Sequence, residues 1–218
     1  MRRAGDVAVG VDLAGSPSRS TGFCAMDRDL VCEVEVLHTD QEIWERIDAA
    51  APAVVSIDAP LSLPRGRRSL GDRSGPHFRS CDLALRTRGI RFFPLTLGPM
   101  RMLTRRGMRL RTRLERAGFV ARESYPGAAQ DILGIPRKGA GLPRLRAGLL
   151  RLGVQGGARR RGLTHDELDA ITAAYVGRLW LEGQAEEIGD PREGVMILPR
   201  PRSGASAPTR QVSGRDVA

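Results

Sequence analysis

Five acidic side chains stand where the predicted secondary structure would bring them to one place: Asp12, Asp58, Glu123, Asp166 and Asp169. The first three end apolar, strand-like segments, and a desolvated carboxylate needs a metal, a cation or several hydrogen bonds to stay ionised. Oxygen ligands without a cluster of Cys or His favour Mg²⁺ or Mn²⁺. Two such ions held by shared carboxylates would clamp the attacking water and the leaving oxygen of a phosphodiester. The pattern therefore indicates a nuclease-like metal site.

The last two acids lie on one predicted helix that begins at Thr164. Thr164 forms a capping box with the acid three residues later, and the helix dipole favours acids in a first turn, so Asp166 has a structural explanation as well. Asp169 lies one turn further, on a face of small residues that predicts close packing against a sheet. We interpret His165 as an exposed residue that could assist proton transfer. Asp12 taken alone could equally accept hydrogen bonds from the turn that follows it.

The segments that carry these acids predict an α/β fold. Short turns join three strands into an antiparallel meander, at 7–13, 21–26 and 30–37. A capping box at Thr39 begins a helix, and a further buried strand follows at 53–57. A crossover through one helix makes this strand parallel to the first and its neighbour, which places Asp12 beside Asp58.

The remaining pattern predicts one more short strand that ends at Glu123, several helices, and a last edge strand at 195–198. From Arg200 onward the composition cannot support a core. We therefore predict a single domain over 1–199 and a disordered tail over 200–218.

Positive charge is concentrated in two stretches. The formal net charge is +10, which favours a polyanionic partner such as DNA or RNA. We expect 61–76 to form an exposed, mobile loop and 99–117 to form a basic helix, although solvated arginine-rich surfaces are common. The candidate substrate-binding residues are Arg65, Arg67, Arg68, Arg105, Arg106, Arg109 and Lys138.

Composition excludes several classes of protein. No apolar stretch is long enough to span a bilayer, and the amino terminus lacks the apolar run of a signal peptide, so we expect a cytoplasmic protein without membrane contact. Three cysteines without a CxxC pair indicate neither a disulfide framework nor a cysteine zinc site. The oligomeric state is left open by the sequence.

Several segments, in order, resemble domain-of-unknown-function family 429, a family of predicted ribonuclease H-like nucleases similar to the resolvase RuvC. The resemblance rests on VGVDLAGS at residue 9, followed by SIDAPLSLP, RSCDLALRTRGIRFFP, ESYPGAAQDILG, HDELDAITAA and EGVMILP. It implies an α/β fold with a mixed five-stranded sheet of order 3-2-1-4-5, in which strand 2 is antiparallel and helices flank the sheet.

The same resemblance implies roles for individual residues. The metal-binding and catalytic acids would be Asp12, Asp58, Asp166 and Asp169, with Asp58 standing where the resolvase pattern has a glutamate. Glu123 and Lys138 match the neighbourhood of strand 5, and the resemblance gives them no firm role; Glu123 and His165 are treated as possible accessory residues.

Three functions are compatible with these features. The first is a metal-dependent nuclease that acts on DNA or RNA and uses Mg²⁺ or Mn²⁺. The second is a non-catalytic nucleic-acid-binding protein that keeps the fold and the acids. The third is an actin-like or sugar-kinase-like phosphate site at AGSPSRSTG, but such proteins close a second large domain over the nucleotide, and the chain is too short for one and has no Walker motif.

Overall fold

Eight strands form one sheet in the computed structural model, which describes residues 6–201. The strands are β1 (Ala8–Asp12), β2 (Thr21–Met26), β3 (Val31–Leu37), β4 (Val54–Asp58), β5 (Ala121–Ser124), β6 (Gln155–Gly156), β7 (Ala185–Asp190) and β8 (Gly194–Pro199). The α-helices are α1 (Asp40–Ala50), α2 (Ser80–Thr87), α3 (Gly98–Arg116), α4 (Pro126–Ile132), α5 (Leu142–Arg151) and α6 (His165–Leu181). Two short 3-10 turns cover Lys138–Ala140 and Gly157–Arg159.

The strand order is β6-β3-β2-β1-β4-β5-β8-β7. Its centre confirms the predicted order 3-2-1-4-5: β2 is antiparallel to β1 and β3, whereas β4 is parallel to β1 and β5 is parallel to β4. This is a ribonuclease H-like arrangement, flanked by helices. The sheet has three more strands than the five we predicted, because β6 extends one edge and the β7–β8 hairpin extends the other.

Local signals explain the elements that position the acids. The Asp27 carboxylate accepts hydrogen bonds from the amides of Asp29 and Val31, which closes the turn between β2 and β3. Both predicted capping boxes are present: the Thr39 hydroxyl caps α1, and the Thr164 hydroxyl accepts a hydrogen bond from the amide three residues later in α6. These caps set where α1 and α6 begin.

The sheet buries a different core on each face. Val9, Val11, Val55 and Ile57 pack with α1 and α3 on one face. Because side chains alternate along a strand, Gly10, Asp12, Ser56 and Asp58 point to the other face, which α6 covers. Helix α6 is buried along most of its length, so a carboxylate at its first turns meets the strand ends directly.

Two glycines allow α6 to approach the sheet closely. A Cβ atom added at Gly10 would lie 2.1 Å from the carbonyl oxygen of Ala170, and one at Gly22 would lie 2.0 Å from the carbonyl oxygen of Asp166. Gly22 is also the register partner of Asp12 across β1 and β2. The missing side chain at Gly22 therefore lets the first turn of α6 rest against the end of β1.

The end of the fold differs from the prediction in two respects. Residues 195–198 belong to β8, which is not an edge strand because it pairs with both β5 and β7. Arg200, which we assigned to the tail, is still tied to the sheet, since its amide donates to the carbonyl of Gln184 at 3.0 Å. The rest of the predicted tail, from 202 onward, lies outside the described residues. Across 6–201, no helix combines the length and the apolar character needed to cross a membrane.

Candidate active site

Asp12 and Asp58 are direct register partners at the carboxyl ends of the parallel strands β1 and β4. Both side chains point to the face that α6 covers, and both residues are half-buried. This confirms the predicted side-by-side placement of the two strand-end acids. The arrangement follows from two buried strands that deliver a carboxylate at the same level of the sheet.

Asp166 joins this pair from the first turn of α6. Its carboxylate accepts a hydrogen bond from the Ser20 hydroxyl in the loop after β1, and its other oxygen lies 2.8 Å from Nδ1 of His165. Possible ligand atoms of Asp12, His165 and Asp166 all lie within 4.8 Å of one another. The structure therefore places His165, which we predicted to be exposed and a possible accessory residue, beside the carboxylates, and its side chain is 58% exposed.

Asp169 lies one helical turn further and is 6% exposed. One of its carboxylate oxygens accepts a hydrogen bond of 2.8 Å from Nε2 of Gln130, and the other is 2.8 Å from Nζ of Lys138. Gln130 is itself buried and also contacts the hydroxyl of Thr172 at 3.3 Å. Lys138, which we predicted to bind substrate, thus forms an ion pair with Asp169.

Sequence reasoning did not find Gln130. Its amide is one uncharged polar group on α4, in a helix that we predicted without assigning any role to its residues. The role of Gln130 depends on the packing of α4 against α6, which brings its amide to the carboxylate of Asp169. No pattern in the sequence shows that packing.

Charge repulsion marks this group of residues. Burial, followed by the nearby Asp58, Asp169 and Asp166 carboxylates, raises the pKa of Asp12 well above its usual range. Burial and the Asp169 carboxylate raise the pKa of Asp58 to about 8. Burial by itself would lower the pKa of Lys138, but its hydrogen bond to Asp169 and its attraction to Asp12 and Asp58 raise it. A bound cation would relieve the same repulsion.

A family model described as a protein of unknown function, DUF429, matches residues 10–194. The chain belongs to the DUF429 family. No curated protein matches this chain significantly.

Solved structures with a similar arrangement include two of RuvC. One, titled T. thermophilus RuvC in complex with Holliday junction substrate, is 12% identical and covers 81% of this DUF429 chain and 96% of its own chain, with a TM-score of 0.49. The other, titled Thermus thermophilus RuvC structure, is 10% identical and covers 88% of this chain and 99% of its own, with a TM-score of 0.47.

Glu123 does not join the acids, which corrects the expectation that three strand ends would converge. Glu123 is the register partner of Ile57, so its side chain points to the face opposite Asp58. There it is buried against Arg79, with which it forms a bidentate ion pair at 2.5 and 2.7 Å. It also accepts a hydrogen bond from the amide of Leu61 at 2.8 Å. In this DUF429 chain, Glu123 therefore holds the segment that follows β4.

Two predicted phosphate contacts are also corrected. Arg67 is 6% exposed and donates to four backbone carbonyls of the 61–76 loop, so it organises that loop and is not available to a phosphate. Arg106 is also 6% exposed and donates to Asp40 and to the carbonyls of Ala14 and His38. Net charge could not reveal either role, because folding brings the partners together: backbone carbonyls for Arg67, and two carbonyls with the Asp40 carboxylate for Arg106.

The other predicted arginines are exposed. Arg65 lies near Asp190 at 3.5 Å, whereas the guanidinium groups of Arg68, Arg105 and Arg109 have no hydrogen-bond or ion-pair partner within residues 6–201. They lie on the face of the sheet opposite the acids, where the 61–76 loop meets α3. The predicted substrate-binding residues are thus divided among a loop, a helix and the acid group.

The acid group suits a divalent cation. Asp12 and Asp166 bring carboxylate oxygens within 4.8 Å of each other, Asp58 lies beside Asp12, and Asp169 lies one turn beyond Asp166. Carboxylates are hard ligands of the kind that Mg²⁺ and Mn²⁺ prefer. The ammonium of Lys138 already lies against Asp169, so one cation is stabilised there by the protein itself. We call these four aspartates with Lys138 and His165 the acid cluster.

Proposed function

We propose that this chain is a metal-dependent nuclease that hydrolyses phosphodiester bonds of DNA or RNA at the acid cluster. The observation that carries the proposal is that possible ligand atoms of Asp12, His165 and Asp166 lie within 4.8 Å of one another, with Asp58 beside Asp12 in the sheet and Asp169 one helical turn beyond Asp166. Burial and neighbouring carboxylates raise the pKa of Asp12 and Asp58, and a bound cation would lower both. The cation would be Mg²⁺ or Mn²⁺, held by the four carboxylates. When bound, it would supply charge stabilisation for the phosphate and a more acidic water.

The protein's own groups would have distinct tasks. A neutral His165 with its proton on Nδ1 would donate a hydrogen bond to the Asp166 carboxylate. Its Nε2 would then be able to accept a proton from the attacking water. Ser20 fixes the other oxygen of Asp166. Gln130 orients Asp169, and Lys138 brings a positive charge to a non-bridging phosphate oxygen at the edge of the cluster.

The test is cleavage of single-stranded, duplex, branched and RNA–DNA hybrid substrates with Mg²⁺, with Mn²⁺ and with EDTA. We expect cleavage of at least one substrate that needs the metal and that falls by at least about a hundredfold in Asp12→Asn. The matched control is Glu45→Gln, which removes one charge from the exposed face of α1. Equal cleavage by the parent and Asp12→Asn would refute the assignment of the acid cluster.

A second candidate is a nucleic-acid-binding protein that does not cleave. The observation that favours it is the Lys138 ammonium, because a resident cation among the aspartates reduces the need for a metal. Binding of nucleic acid without metal-dependent cleavage by the parent, together with unchanged binding by Asp12→Asn, would select this function.

A further inference from the structure

A groove of about 820 Å³ lies between the 63–71 segment and the outward face of α3. Five arginines line it, and we call it the arginine groove: Arg68, Arg105, Arg109, Arg113 and Arg116. Leu63, Leu70 and Met108 contribute apolar surface between them. The groove is distinct from the acid cluster, because α3 packs on the face of the sheet that α6 does not cover.

The wall of the groove is preformed. Arg67 holds it from inside, with hydrogen bonds of 2.7 Å to the carbonyls of Pro76 and Asp72 and 2.8 Å to the carbonyl of Gly75. Leu70 is buried beside it. A wall fixed in this way presents Arg68 to a ligand without a large cost of ordering the loop.

The positive charge of the groove is not balanced by the described part of the chain. The guanidinium groups of Arg68, Arg105, Arg109 and Arg116 have neither a hydrogen bond nor an ion pair among residues 6–201. Arg113 is placed differently, with its guanidinium 4.3 Å from the centre of the Trp44 ring. Like charges held along one helix face repel one another, and a polyanion would relieve this repulsion.

Four of the groove's arginines form a row along α3, and the length of this row indicates whether the ligand is a small anion or a polymer. From Arg105 to Arg116 the helix rises about 16 Å at about 1.5 Å per residue. Successive phosphates of a duplex strand are separated by about 3.4 Å along the helix axis and by more along the strand itself, so a row of this length spans several phosphates. A single nucleotide would contact only part of it.

The helix whose outward face lines the groove contacts, with its inward face, the loops that follow the acid-bearing strands. A Cβ atom added at Gly107 on α3 would be 2.9 Å from the carbonyl oxygen of Pro60, two residues after Asp58. At the preceding position of the helix, Arg106 donates to the carbonyl of Ala14, two residues after Asp12, at 2.8 Å. Helix α3 therefore packs against the loops that follow both acid-bearing strands.

We infer that the arginine groove binds the phosphodiester backbone of a nucleic-acid strand at a distance from the bond that is cleaved. This inference rests on the proposed function only for the identity of the substrate, since binding is measurable without cleavage. Contacts to phosphates carry no sequence information, so binding through the groove should depend little on sequence.

The experiment measures binding of labelled oligonucleotides to the full chain in EDTA over a range of salt concentrations. The variant is the triple change Arg105→Gln, Arg109→Gln and Arg116→Gln. We expect its affinity to fall by at least about tenfold and its salt slope by roughly one unit per lost phosphate contact, for single strands and duplexes alike. An oligonucleotide shorter than the groove should bind more weakly to the parent and lose less in the variant.

The matched control is Arg111→Gln, on the same helix, whose guanidinium is paired with Glu115 at 2.8 Å and lies outside the groove. It should leave affinity and slope nearly unchanged. A folded triple variant with the parent's affinity and slope would overturn the inference, as would equally strong binding of short and long oligonucleotides. Cleavage that persists in such a variant would leave the proposed function intact, whereas absence of metal-dependent cleavage in a parent that binds through the groove would refute only the proposed function.

Discussion

Asp12 and Asp58 lie directly opposite each other in the parallel pair of β1 and β4, with both carboxylates on the face covered by α6. The two carboxylates lie side by side in a partly desolvated place, where burial and then the charge of Asp58 raise the pKa of Asp12. Folding brings these groups together against their repulsion, and the consequences should be measurable as pH, metal and mutational effects.

The first prediction concerns pH. Folding raises the pKa of Asp58 from 3.8 to about 8, so the folded state binds a proton that the unfolded state releases. This stabilisation is fully present below the unfolded pKa and is lost as pH rises toward about 8. In EDTA, Asp58 by itself should lower the free energy of unfolding of the parent by up to about 6 kcal/mol over this window, at about 1.4 kcal/mol per pKa unit. Denaturant unfolding of the parent and Asp58→Asn checks this: the variant should show a flatter pH dependence, and parallel curves would contradict it.

The second prediction concerns Lys138→Met. Removing the ammonium leaves Asp169 without its ion pair and Asp12 and Asp58 without a nearby cation, so the metal-free variant should unfold at lower temperature at neutral pH. Because the Lys138 side chain is 54% exposed, the loss should be only about 1 kcal/mol. Added Mg²⁺ should then stabilise the variant more than it stabilises the parent. Thermal melts with EDTA and with Mg²⁺ measure both effects.

Lys138→Arg is the control for that experiment, since it keeps the charge. It should resemble the parent in EDTA. If Mg²⁺ stabilises Lys138→Met no more than the parent, the lysine and the metal do not share the acid cluster.

The third prediction concerns Arg79, which is buried between Asp82 and Glu123. Arg79→Met leaves two buried carboxylates without their common partner and should cost about 3–5 kcal/mol of unfolding free energy. Glu123→Gln keeps an oxygen for the amide of Leu61 and should be milder. Denaturant titrations give the ranking.

The same variants test the correction at Glu123. Titration calorimetry with Mn²⁺ should give unchanged metal affinity for folded Glu123→Gln and weakened affinity for Asp58→Asn. Equal loss of affinity in the two variants would place Glu123 in the metal site after all.

The fourth prediction concerns Gly22→Ala. The new methyl group would lie 2.0 Å from the carbonyl oxygen of Asp166, so the first turn of α6 must move away from β1. We expect a loss of about 1–3 kcal/mol in stability and weaker metal binding, because Asp166 moves relative to Asp12. Gly98→Ala is the matched control, since a Cβ atom there has no neighbour within 4 Å. Metal affinity equal to the parent's in folded Gly22→Ala would contradict the prediction.

Much of the central fold could be predicted because its signals are local. Apolar strands that end in an acid, two capping boxes and the handedness of a crossover were enough to place Asp12 beside Asp58. Asp166 and Asp169 are three residues apart, so a helix at this point predicts that both lie on the same face. These features depend on short-range chemistry that a sequence displays directly.

The errors arose where pairing partners are distant in the chain. The position of Glu123 depends on its register with Ile57, and a change of one residue would reverse the face to which it points. Arg67 and Arg106 resemble surface arginines in composition, yet backbone carbonyls surround both. The sequence alone predicts neither the register of β5 nor the backbone carbonyls that accept hydrogen bonds from these two arginines.

The acid cluster draws on both ends of the chain, and this has a consequence for synthesis. Ser20 and its partner Asp166 are 146 residues apart, which takes on the order of 10 s to translate at about 5–20 residues per second. Until then a nascent chain displays β1 and β4 without α6 and holds only half of the four aspartates. On the proposed function, the chain emerges from the ribosome, a particle built largely of RNA, before it has assembled the means to cut a phosphodiester.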